Sequence, residues 1–222
     1  MKKEKLPRNR GTKLRKNGEH PLTIDISKKD FNHIFLINEK DFLTKNVSKE
    51  DLVIEPYHHY MVINKGTQLL TLQYSQDISA HQVVWDPYKY EKSEKEPFHE
   101  ELFLEEYDIP EDYVDTLPKW YSFKFTYPEY NLIFIRPELG ISFQVHEERS
   151  EHWEILKGQP IILNGHSVHY HVADGTSFEI SPQQYHTVIN PHSDEFVLLK
   201  EEWGGHFDEE DITRVFNPNH YS

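Results

Sequence analysis

Short apolar runs, separated by charged residues, glycine or proline, fill the chain from Pro21 onward and predict a β-rich fold. In the first half these runs are HIFLI, LVIEPYHHYMVI and TQLLTLQYS, while the stretch holding Thr44 to Val47 is too polar to place. In the second half YSFKFTY alternates, NLIFIRP reads as a buried strand, and FEISP, TVINP and EFVLLKEEW follow as further strands. QPIILNGHSVHYHV predicts a hairpin turning at Asn164-Gly165, a dipeptide suited to the positive φ angles of a type I′ turn. Residues 87–117 change character. They are charged and proline-containing, and HEELFLEEY predicts a short helix with Phe103, Leu104 and Tyr107 on its apolar face. This segment is expected to be a connector packed on the strands that follow it. No Glu and His spacing of the second half recurs in the first, so residues 21–117 are expected to extend or cap a single barrel.

Charge divides the chain unevenly. Residues 1–20 carry eight Lys/Arg against two Asp/Glu, a net of +6, which leaves −20 for the remainder of a chain whose formal net charge is −14. An acidic body repels nucleic acid, so a nucleic-acid partner is disfavoured. The basic segment lacks apolar periodicity and is expected to be a disordered tail, with an arm docked on the acidic body as the alternative. Chain length and an aromatic content of 14% allow a substantial core. There is no cysteine, so neither disulfides nor thiolate ligands are available. No apolar run approaches a membrane span, and a cytoplasmic protein without a membrane partner is the expectation.

Candidate chemistry concentrates between positions 144 and 190. Gln144 and His146 lie two apart in SFQVH, so on a strand both project from one face. Glu151 falls at the start of the next strand, and His186 closes the set from a later segment. Two imidazoles, a carboxylate and an amide suit a borderline divalent metal, zinc first, with iron or manganese as alternatives. His152 should point away from Glu151, and His166, His169 and His171 fit the partly exposed face of a hairpin strand. His58 and His59, being adjacent, do not share a strand face. Arg149 and Arg214 are candidates for holding a phosphate or carboxylate, and Arg149 is equally suited to a surface ion pair.

The spacing resembles the two motifs of the cupin superfamily. Gln144 stands at the first histidine position, His146 at the second, Glu151 at the glutamate, Gly158 at the glycine after six intervening residues, then Gly175, His186 and Asn190 follow in the second motif. Glu138, Ser181 and Gln183 depart from it, standing for glycine, proline and glycine. QVHEERSEHWEILKG is similar to the cupin domain of type II mannose-6-phosphate isomerases, a domain often fused behind a GDP-mannose pyrophosphorylase. Glu210, Asp211, Ile212 and Arg214 resemble that family's closing segment, whose terminal arginine has no counterpart after Tyr221-Ser222.

The resemblance, over roughly residues 118–221, implies an all-β cupin jelly roll at 118–222, behind a β-rich extension and connector at 21–117 and a basic tail at 1–20. It implies a metal held by Gln144, His146, Glu151 and His186, and aldose–ketose isomerisation of a small sugar phosphate or acidic sugar, with Arg214 and Arg149 at the reacting site. A homodimer is compatible with it. A ferrous dioxygenase using the same two histidines and glutamate, or a non-catalytic sugar-binding or regulatory cupin, are the alternatives.

Overall fold

Strand periodicity accounts for nearly every element of the computed structural model, which describes residues 2–205 and 211–219. The first half contributes β1 (Lys2–Leu6), β2 (Leu14–Lys16), β3 (Leu22–Asp25), β4 (Ile34–Asn38), β5 (Asp41–Leu43), β6 (Val53–Ile54), β7 (His59–Asn64), β8 (Leu70–Tyr74) and β9 (Gln82–Trp85). After the helix α1 (Glu100–Glu106) come β10 (Asp115–Pro118), β11 (Ser122–Thr126), β12 (Tyr130–Ile135), β13 (Phe143–His146), β14 (Ser150–Lys157) and β15 (Ile161–Asn164). The last are β16 (Ser167–His169), β17 (Ser177–Ile180), β18 (His186–Ile189), β19 (Val197–Gly204) and β20 (Ile212–Phe216).

These strands form three sheets, ordered β1-β8-β3-β6, β10-β11-β12-β19-β14-β17 and β20-β13-β18-β15-β16-β5-β4-β7-β2-β9. The ten-stranded sheet runs through both halves of the chain and is covered on both faces. Ile34 and Leu36 of β4, with Tyr60 and Val62 of β7, pack against the small sheet. Their neighbours Phe35, Ile37, Met61 and Ile63 face the other way, into a core shared with Phe143, Ile161, Leu163 and Ile189. Burial of alternate residues on opposite faces is why HIFLI and QPIILN read as continuous apolar runs.

The first half therefore builds its own two-layer sandwich, with Leu22, Ile24, Leu36, Ile54, Val62 and Leu72 at its centre. Its strands β5, β4, β7, β2 and β9 extend the sheet of the second half beyond β16, and that sheet forms a second sandwich with the six-stranded one around Ile135, Trp153, Val188 and Leu199.

The basic segment differs from the expected tail. Residues 2–6 pair along β8 in continuous register, from Lys2↔Tyr74 to Leu6↔Leu70. β2 lies inside the ten-stranded sheet between β7 and β9. Leu6 and Leu14 are buried, and Arg10 and Lys13 reach Glu91 and Asp86 at 2.8 and 2.6 Å. The alternative of an arm docked on the acidic body is the one realised. Two leucines gave too little periodicity to reveal an arm held by backbone pairing and opposite charge.

The connector packs on the six-stranded sheet, where Phe103 joins Phe123, Phe125 and Phe134. Phe103 and Tyr107, one turn apart, stack at 4.5 Å and pack on Phe134 of β12. Leu104 is 37% exposed and does not join that face. The hairpin also moves by one residue: Asn164 pairs with Ser167, so Gly165 and His166 occupy the turn. Of these two only Gly165 has positive φ, at 63°, which departs from the type I′ pattern.

Candidate metal centre

The cluster draws on both sheets of the second sandwich. Gln144 and His146 lie on β13 and His186 on β18, all in the ten-stranded sheet, with Gln144 directly opposite His186. Glu151 comes from β14 in the facing sheet. A turn at residues 147–149 brings the strands together. The Asp211 carboxylate caps it, accepting from the backbone N–H groups of Glu147, Glu148 and Arg149 at 2.9, 3.2 and 3.2 Å. This gives the closing segment a structural task beside the site. Glu210, Tyr221 and Ser222, also singled out in the sequence, lie outside the described residues.

His146, Glu151 and His186 are buried, with ligand atoms all within 4.8 Å of one another, the one such cluster of three found among the described residues. His146 Nε2 lies 3.0 Å from Glu151 Oε1, and His186 Nε2 lies 3.6 Å from Glu151 Oε2. Ligands about 2.1 Å from a common ion sit no more than about 4.2 Å apart, so a small contraction brings this set onto a divalent metal. His186 Nδ1 lies 2.9 Å from the Gln184 carbonyl. Donation there leaves the Nε2 lone pair directed at the cluster, the tautomer that a metal ligand requires. Burial, opposed in part by Glu151, lowers the His186 pKa to about 4, so the ring is neutral at pH 7. Gln144 Nε2 is 3.3 Å from His186 Nε2, while its Oε1 accepts from the Ser142 hydroxyl at 2.9 Å. Turning the amide over presents oxygen to the cluster, and Ser142 Oγ can then accept from the nitrogen. The donor set fits a divalent metal.

Arg149 is buried, which removes the surface ion-pair reading. Its Nη2 and Nε both donate to Glu151 Oε1, at 2.7 and 3.0 Å, and Nη2 lies 2.9 Å from His146 Nε2. Burial alone would raise the Glu151 pKa. The hydrogen bond with His146 and the charges of His186, His146 and Arg149 outweigh it, and the carboxylate is held well below its ordinary range.

Two of the positions that depart from the motif have a backbone conformation that glycine adopts readily. Glu138 and Gln183, where the pattern has glycine, both have positive φ, 62° and 66°. Such a conformation costs a side-chain-bearing residue about 1–2 kcal/mol. Contacts with the connector and β9 hold Glu138 in place: its carboxylate accepts from Lys89 and Tyr90, and its carbonyl accepts from Trp85 Nε1 at 3.1 Å. Gln183 N–H donates to the His146 carbonyl at 2.6 Å. Ser181, in place of proline, has an N–H to satisfy and donates it to Gln184 Oε1. Asn190 spans its loop, donating to the carbonyls of Ile135 and Glu195.

Arg214 faces Gln144 across the β13–β20 pair and is exposed. With Gln144 and Arg149 it lines a cavity of roughly 90 Å³ between the two sheets, together with Lys119, Lys124 and Glu201. A larger groove of roughly 810 Å³ lies beside Val145 and Glu147, which alternate with Gln144 and His146 and so face away from the cluster. His152 also points away from it, to Glu179 at 2.6 Å, and His59 pairs with Glu39 rather than with His58.

Glu201 escaped the sequence reading. It is 8% exposed, accepting from Asn131 Nδ2 at 2.8 Å and Trp153 Nε1 at 3.2 Å. The same indole N–H reaches Glu151 Oε2 at 3.1 Å. Burial and the nearby Glu151 charge push the Glu201 carboxyl well above its ordinary range. The available signal was alternation: Val197, Leu199 and Glu201 share the inward face of β19.

The C-terminal half is a two-sheet β-sandwich with His146, Glu151 and His186 gathered between its sheets. Residues 124–217 match the family described as the mannose-6-phosphate isomerase C-terminal domain. Over 83 residues the chain is 30% identical to a mannose-1-phosphate guanylyltransferase of Salmonella typhimurium, a match covering 37% of this chain and 17% of that protein. Among solved structures, a cupin-superfamily sugar phosphate isomerase of Silicibacter pomeroyi is 13% identical, with 42% of this chain and 76% of that chain covered and a TM-score of 0.35. An oxalate decarboxylase variant of Bacillus subtilis is 8% identical, covering 96% and 70% respectively, with a TM-score of 0.38. No helix among the described residues is long and apolar enough to cross a membrane.

Proposed function

We propose that this protein is a metal-dependent aldose–ketose isomerase acting on a phosphorylated sugar. The observation that carries the reading is a reversal of charge. In a chain of net charge −14, the cavity beside Gln144 gathers Lys119, Lys124, Arg149 and Arg214 around a single acid, Glu201. Cations enclosed between low-dielectric walls favour an anionic ligand, and guanidinium groups match phosphate oxygens in pairs. The family match and the donor set at the adjoining cluster support isomerase chemistry in particular.

When bound at Gln144, His146, Glu151 and His186, a divalent metal, zinc first among the choices, supplies Lewis-acid polarisation of a carbonyl or hydroxyl oxygen. The chain's own residues do the remainder. Arg214, an exposed cation lining the cavity, anchors the phosphate. Arg149 keeps Glu151 ionised and in place through two N–H donors. Sheets on either side limit access of water to the sugar carbons.

Replacing Arg214 with alanine tests the anchor. A lost charge-assisted contact is worth roughly 1.5–3 kcal/mol, so Kd for a hexose 6-phosphate should rise about tenfold to a hundredfold. Binding of the unphosphorylated sugar should change little. Equal weakening of both ligands, or of neither, contradicts the assignment of Arg214 to the phosphate.

A further inference from the structure

We infer that Glu201 is the catalytic residue that carries the proton between adjacent sugar carbons, an assignment that rests on the isomerase reading and gives that site its base. Three features place it. Its side chain lines the same cavity as Gln144, Arg149 and Arg214, so a ligand seated there meets the cluster and Glu201 together. The carboxyl is held on both oxygens, by Asn131 on β12 and Trp153 on β14, which form one cross-strand row with it: Asn131↔Glu201 and Glu201↔Trp153. Those two bonds occupy only part of the acceptor capacity of a carboxylate, which offers about four lone-pair sites.

The third feature is charge. Burying a carboxylate between two sheets is costly, and here Lys124 and Arg149 line the same cavity as the acid. The charged and titratable neighbours are Glu151, Lys124 and Arg149, the first of which opposes ionisation while the other two favour it. A carboxylate held on both oxygens yet facing the cavity with acceptor capacity to spare is placed to take a proton from a ligand there and return it.

The step balances without an oxidant. Glu201 removes the proton from C2 of the aldose, and the C–H electron pair becomes the C1=C2 bond of an enediol. The carbonyl π pair moves to O1, which takes up a proton. Loss of the O2 proton then forms the C2 carbonyl, and Glu201 returns its proton to C1. No net electron leaves the sugar.

The test compares the wild type with Glu201→Gln and Glu201→Ala, each metal-loaded and incubated with a hexose 6-phosphate in deuterated water. Glu201→Gln should keep its metal and bind inorganic phosphate as the wild type does, while solvent exchange at C2 falls about 10²–10⁴-fold, the span of a positioned acid–base group. Added formate should restore part of the exchange to Glu201→Ala, which a residue with only a structural task would not show. Should Glu201→Gln fail to fold, Glu201→Asp, with its carboxyl drawn back by one methylene, should exchange slowly but measurably. Wild-type exchange in Glu201→Gln, or no formate rescue in a metal-loaded Glu201→Ala, overturns the assignment and leaves the isomerase reading standing. Absence of exchange in the wild type overturns both.

Discussion

Removal of residues 1–18 should destabilise the protein by at least several kcal/mol, lowering its melting temperature by many degrees or preventing folding. The truncation removes β1 and β2 with Leu6 and Leu14, which are 3% and 0% exposed. Burying a leucine is worth about 1.5–3 kcal/mol, so these two alone account for a large part of a typical stability of about 5–15 kcal/mol. β2 also joins β7 to β9, so its loss leaves two unpaired edges inside a sheet. Shared packing extends the effect. A Cβ on Gly11 would approach Met61 to 2.5 Å and Phe216 to 3.2 Å, which shows how closely this segment meets β7 and β20. Thermal unfolding followed by circular dichroism checks the expectation, and an unchanged melting temperature would contradict the docked arm.

The second large effect concerns the cluster. His146→Ala with His186→Ala should reduce metal from about one ion per chain to nearly none, because two of four donors disappear and both provide imidazole nitrogen. The fold should survive. Neighbouring Trp153, Ile155, Val188 and Leu199 still form the apolar core between the sheets. Elemental analysis of protein purified without chelators, paired with circular dichroism, separates loss of metal from loss of structure. Full occupancy in the folded double variant would remove these histidines from the site.

The strands and the metal-competent residues were legible in the sequence for different reasons. Strands such as HIFLI and NLIFIRP announce themselves through length and apolar content. Gln144, His146, Glu151 and His186 stand out through spacing, which constrains side chains because a strand repeats every two residues. The face of each strand was less legible. In SFKFT, Phe123 and Phe125 turn outward to be covered by Phe98 and Phe103 of the connector, while Lys124 points into the cavity. Alternation shows that two faces differ, and only the long-range packing of α1 decides which one is interior. Glu201 remained hidden for the same reason, as one of two adjacent glutamates in LLKEEW. The docked arm was hidden too, since its stability depends on Tyr74, Asp86 and Glu91, all distant in sequence.

Solvent exchange tests the central claim most directly. Metal-loaded protein should be incubated in deuterated water with a panel of hexose and pentose phosphates, and the sugars analysed for deuterium at the carbon beside the carbonyl. The account predicts exchange, with conversion between aldose and ketose, for at least one phosphorylated sugar and much less for its unphosphorylated counterpart. With one metal ion per chain confirmed, the absence of both exchange and conversion across the panel would contradict it.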